Sequence, residues 1–148
     1  TVDVDPNNVA VAKQMVALAE LESHFTFILL KDPEHVNPKE LSMTVRSTMM
    51  ERFPEREAVI DFLFLDHAKE LYLSDLVQLE ESALIRQETW VAADNILFFR
   101  LDEYRQLVQA LAEQGVVETR LEVGKLEYVD DQDQQEDLRD GLGKFCCS

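Results

Sequence analysis

Asp66 and His67 are the neighbouring pair best suited by type to acid–base chemistry, a carboxylate beside an imidazole. To activate a nucleophile they would need a serine or cysteine within hydrogen-bond reach. Consecutive residues on a helix point in different directions, and the sequence marks out no such nucleophile, so structural or surface duty outweighs chemistry. The three histidines, His24, His35 and His67, lie far apart, make no i, i+4 pair and have no cysteine site beside them. Asp3, Asp5 and Asn7 look like the opening of a calcium loop. That loop fails because no glycine holds its sixth position and Gln14 stands where a bidentate glutamate is required. Asp130, Asp131, Asp133, Glu136 and Asp137 also lack a loop's glycine and spacing, and read as a solvated charge run. The expectation is a protein with no catalytic residues, no cofactor and no metal, and hence not an enzyme.

Composition narrows the class further. The chain has 148 residues, 46% of them hydrophobic, enough for one globular domain or two small subdomains. No apolar run approaches the roughly 20 residues needed to span a bilayer. The start, TVDVDPNN, has neither the basic nor the apolar part of a secretory signal. Cys146 and Cys147 are adjacent, which cannot staple a fold or hold zinc, and they argue for a reducing compartment, the cytoplasm. A formal charge of −16 repels phosphate backbones and anionic lipids and steers basic partners inward.

The elements that would position these residues are mainly helical. Asp5-Pro6-Asn7 starts a helix, and Val9 to Leu30 is rich enough in apolar residues to continue it. Asn37-Pro38 starts a second helix carrying Leu41, Val45, Met49 and Met50. Pro54 opens a third, whose run from Ala58 to Leu65 is apolar all round and so reads as a buried central helix. Ser74-Asp75 caps a fourth that reaches about Arg86. Residues 87–95 carry the one tryptophan, Trp90, and are the least patterned, with Phe98 and Phe99 in a further apolar block.

The segment from Leu101 to Val129 has the clearest architecture. Leu101, Tyr104, Leu107, Val108 and Leu111 recur at helical steps, and Gly115 caps the helix. From Val117 the period changes to two, and Gly124-Lys125 supplies a tight turn setting Val123 opposite Leu126 and Leu121 opposite Tyr128. A helix ending in AEQGVVETR and followed by a hairpin resembles the last half of a winged-helix domain, carried by Leu107, Leu111, Gly115, Val116, Val117 and the Gly124 turn. The expected fold is mainly α: a helical domain with a C-terminal β-hairpin, winged-helix-like. It divides into an N-terminal helical region over 1–53, a winged-helix-like region over 54–129 and an acidic tail over 130–148.

What the resemblance implies depends on charge. A DNA reader needs several bases along the recognition helix and wing. Here only Arg100, Arg105, Arg120 and Lys125 make a narrow basic ridge, against Asp102, Glu103, Glu113, Glu118, Glu122 and Glu127. Winged helices also serve in protein complexes, so the expected function is a non-catalytic adaptor. Its interface would use Met43, Met49, Met50, Trp90, Phe98 and Phe99, and its partner would be a basic protein or a second copy. The alternatives are a phage-type acidic inhibitor that mimics nucleic acid and a DNA-binding regulator using the ridge. Neither nucleic acid nor membrane is the expected partner of the adaptor.

Overall fold

The computed structural model describes residues 1–31, 38–97, 101–125 and 139–147, and the chain divides into two compact units, Thr1–Ala58 and Val59–Ser148. Among the described residues no helix is long and apolar enough to cross a membrane.

The first unit is a βαβ unit followed by a helix. Strand β1 (Val2–Asp3) pairs in parallel with β2 (Ile28–Leu29), and α1 (Pro6–Leu18) lies between them in sequence. Asp5 caps α1 by accepting the Asn7 N–H at 2.8 Å, and Pro6, with no N–H to satisfy, takes the first helical position. The expected helix from Val9 to Leu30 therefore stops early: Glu20 turns left-handed at φ 56°, and the aromatic and β-branched run Phe25 to Ile28 leads into a strand. Helix α2 (Pro38–Arg52) follows as the sequence indicates. Its last residue ties back to the loop ahead of β2, the Arg52 guanidinium donating to the Ser23 and Phe25 carbonyls and the Thr26 hydroxyl.

The second unit is a mixed four-stranded sheet with helices. Strand β3 (Phe62–Leu65) runs parallel to β4 (Trp90–Ala93), and α3 (Tyr72–Glu81) makes the crossover between them. After α4 (Asp102–Glu113) comes β5 (Val117–Lys125). The last strand, β6 (Arg139–Cys147), inserts antiparallel between β4 and β5, giving the order β3-β4-β6-β5. The start of β3 is fixed by the Ile60 N–H donating to Leu84 O and by the buried Thr89 hydroxyl donating to Ile60 O at 2.7 Å. Tyr72, Leu76, Leu79, Leu84, Val91, Ala93, Tyr104 and Val108 form the core, each buried Leu or Val contributing about 1.5–3 kcal/mol. On β3 and β4 the side chains of Phe62, Phe64 and Trp90 are each more than half exposed.

This topology is not that of a winged helix. The apolar run expected to be a central helix is β3, and the unpatterned stretch around Trp90 is β4. A short continuous apolar run fits a buried strand as well as a buried helix, and periodicity alone does not separate them. Gly124-Lys125 is no hairpin turn, because β5 runs through both residues and pairs with 139–147. Residues 139–147, expected in a solvated tail, form an interior strand.

Candidate active site

Two strand ends converge in the second unit. Leu65 pairs with Ala93, so the next residues, Asp66 and Asp94, leave adjacent parallel strands side by side, and the Asp94 N–H donates to Leu65 O at 3.0 Å. Neighbouring strands lie about 4.8 Å apart. The carboxyl ends of parallel strands are where open α/β sheets place their ligands, since the loops there are not committed to the ladder.

After β3 the chain turns through Asp66-His67-Ala68, makes a short 3₁₀ turn at Lys69–Leu71 and enters α3 at Tyr72. Asp66, Lys69 and Tyr72 are spaced by three, and the turn brings their polar atoms together. Lys69 Nζ donates to Asp66 Oδ1 at 3.0 Å and to the Tyr72 hydroxyl oxygen at 2.8 Å. The fully buried Tyr72 hydroxyl donates in turn to Leu65 O at 2.8 Å, with Asp94 O at 3.3 Å. Burial disfavours the Lys69 ammonium, but the Tyr72 hydroxyl and the Asp66 carboxylate outweigh that cost, and its pKa lies above the ordinary lysine value. Burial pushes the Tyr72 phenol upward as well, partly offset by Lys69.

A second pair flanks the first. His67 Nε2 lies 2.9 Å from Oδ2 of the buried Asp75, and its ring leans on Tyr72 at 5.0 Å between centroids. His67 thus anchors the turn to α3. Across from it, Asn95 adopts φ 58°, and its N–H donates to Asp94 Oδ1 at 2.9 Å. Among the described residues no group of three or more His, Cys, Asp or Glu is gathered for a metal. The donors at the strand ends are the Asp66 and Asp94 carboxylates and the Asn95 amide, a hard-oxygen set suited to a divalent cation.

The features of a nucleotide-type cofactor site are only partly present. In the first unit Asp3 ends β1, and its carboxylate accepts the Asp5 N–H at 2.8 Å. All four glycines, at 115, 124, 141 and 143, lie after α4, so no glycine-rich turn joins a strand to a helix before it.

The residues expected to make an interface do not form this site. Met43 and Met50 are exposed on α2 with Met49 half-buried, and Trp90 is exposed on β4. Phe98, Phe99 and Arg100 lie outside the described residues. Arg105 pairs with Asp102 at 3.7 Å and Arg120 with Glu122 at 2.6 Å, each neutralised on its own element, and Lys125 ends β5. Sequence reasoning named Asp66 and His67 but missed Lys69, Tyr72, Asp75, Asp94 and Asn95. The available signal was the D-x-x-K-x-x-Y spacing, together with Asp-Asn directly after an apolar run.

No family model matches the chain. It is 30% identical to catechol O-methyltransferase of Sus scrofa over 97 residues, 66% of this chain and 46% of that protein. It is 27% identical to the Bos taurus enzyme of the same name over 109 residues, 74% of this chain and 36% of that one. To transmembrane O-methyltransferase of Homo sapiens it is 31% identical over 98 residues, 66% of this chain and 30% of that protein. The chain spans less than half the length of these curated relatives. Among solved structures, the O-methyltransferase from Bacillus cereus in complex with SAH superposes with a TM-score of 0.64 at 13% identity, covering 100% of this chain and 61% of that one. An SAH-bound methyltransferase of Podospora anserina gives 0.56 at 13% identity, covering 100% and 59%.

The likeness shows an α/β methyltransferase fold in place of the winged helix. Because the relatives are O-methyltransferases, the readings as adaptor, nucleic-acid-mimicking inhibitor and DNA-binding regulator are overturned, and with them the exclusion of an enzyme.

Proposed function

We propose that this chain carries the acceptor side of an O-methyltransferase acting on a catechol-type diol. The observation that carries the reading is the Lys69 ammonium, held between Asp66 and the buried Tyr72 at the carboxyl ends of two parallel strands. Asp66, Asp94 and Asn95 would hold a divalent cation, which departs from the expectation of no metal. Such a cation would supply positive charge that favours ionisation of an acceptor hydroxyl. Lys69 in its amine form would accept the hydroxyl proton as general base, leaving an oxygen nucleophile for methylation.

The methyl donor is of the S-adenosylmethionine class, in keeping with the SAH complexes of the structural neighbours. Lys69, Asp66 and Tyr72 are read as acting on the acceptor because they meet at the strand ends. We assign the protein to the cytoplasm on the adjacent Cys146 and Cys147, which suit a reducing compartment.

Titration with Mn²⁺ followed by electron paramagnetic resonance, without and with catechol, tests the reading. Asp94→Asn is expected to weaken Mn²⁺ by about tenfold or more, as loss of a ligand does. Lys69→Ala should leave Mn²⁺ bound while lowering methyl transfer from S-adenosylmethionine by about a hundredfold. Mn²⁺ affinity that ignores Asp94→Asn would defeat the cation site, and catechol that leaves the Mn²⁺ spectrum unchanged would defeat the acceptor assignment.

A further inference from the structure

We infer that Tyr72 is a positioning residue: its hydroxyl fixes the Lys69 ammonium at the strand ends. The inference rests on the reading of Lys69 as the base that meets the acceptor. Lysine is a compact charge on a flexible four-carbon stem, and one carboxylate on a surface turn does little to hold it in a single place. Asp66 is half exposed, so by itself it makes such a weak anchor. Tyr72 differs in every respect that matters. It is fully buried, begins α3 and stands under the edge-on ring of Tyr104, with centroids 5.9 Å apart.

Its hydroxyl has one proton to donate, and the proton goes to Leu65 O, which already accepts the Asp94 N–H. That leaves the phenol oxygen facing Lys69 as acceptor, with no second proton to compete. The ammonium is therefore referenced through one rigid ring to the carbonyl at which the β3–β4 ladder ends, where Asp66 and Asp94 also begin. His67 on the ring's other flank, braced by Asp75, keeps the intervening turn from swinging. Base and carboxylates hold one mutual geometry because they share this reference point. The spacing D-x-x-K-x-x-Y is the sequence form of the device.

The test is nuclear magnetic resonance of the ¹⁵N-labelled full chain. An ammonium held by the Asp66 carboxylate and the Tyr72 hydroxyl is sheltered from exchange with water, so the wild type is expected to show a Lys69 Nζ cross-peak. Tyr72→Phe should lose that cross-peak while the backbone resonances of the sheet remain. Leu76→Ala, which opens a cavity on the same helix, should keep it, separating positioning from general loosening. In a methyl-transfer assay Tyr72→Phe should lower kcat and leave KM for the acceptor unchanged. Persistence of the cross-peak in Tyr72→Phe, or its equal loss in Leu76→Ala, would overturn the inference. Should Tyr72→Phe fail to fold, the wild type decides: a nuclear Overhauser contact between the Tyr72 ring and the Lys69 ε-methylene supports the clamp, and its absence refutes it. Absence of Mn²⁺ binding in the wild type would instead strike the acceptor reading and leave the clamp standing.

Discussion

Two tyrosines in edge-to-face contact meet opposite fates. The Tyr72 hydroxyl has both a donor and an acceptor partner, whereas the buried Tyr104 hydroxyl has no partner among the described residues. A buried hydroxyl without a hydrogen bond costs about 1–3 kcal/mol, so Tyr104→Phe is expected to stabilise the fold by about 1 kcal/mol in thermal or urea denaturation. Destabilisation instead would reveal a partner for that hydroxyl. Burial pushes both phenols upward, Tyr104 the more strongly. The unfolded chain loses those protons near the ordinary phenol value of about 10, while the folded chain still holds them. The folded state then binds more protons, so this part of the stability is intact below about pH 10 and lost as pH rises further. The raised Lys69 acts in the same direction. Alkaline unfolding followed by circular dichroism should therefore begin above that pH and be shallower in Tyr104→Phe. At this scale the sequence was legible in part: the chemistry of Asp66-His67 stood out, but Lys69 looks like any surface lysine until the fold brings Asp66 and Tyr72 to it.

Helix α4 and strand β5 were legible because their periods are unambiguous, 3.6 giving way to two at a single glycine. Gly115 adopts φ +71°, where a Cβ would meet no atom within 4 Å, so any cost of a side chain there is conformational and not steric crowding. Gly115→Ala is expected to destabilise by about 1 kcal/mol, read as a lower midpoint at unchanged denaturant slope. An unaltered midpoint would mean that the cap relaxes out of the left-handed region. The elements that carry the site were not legible. Phe62–Leu65 and Trp90–Ala93 are four-residue apolar runs, too short to show a period. The strand between β4 and β5 comes from glycine-bearing sequence, Arg139–Cys147, whose place in the sheet is set by tertiary pairing and not by local preference. With β3 taken as helix and β6 as tail, the crossover at α3 disappears, and so does the meeting of Asp66 with Asp94.

A formal charge of −16 looked like the signature of a basic protein partner, yet the same field acts on any cation. Asp66 and Asp94 sit in that field, so a divalent ion reaching them gains from distant carboxylates as well as from its ligands. The two contributions respond differently to salt. Direct coordination is little screened, whereas charges beyond about 10 Å are largely screened at 0.1 M ionic strength. Mn²⁺ affinity should therefore fall steadily as potassium chloride is raised and level off once only the ligands remain. Glu80→Gln with Glu81→Gln, two exposed charges at the end of α3, should lower affinity at low salt and leave the high-salt plateau where it was. Asp94→Asn should do the reverse, dropping the plateau itself. A salt-independent affinity would assign the whole of the binding to the strand-end oxygens and leave the acidic surface without a part in it.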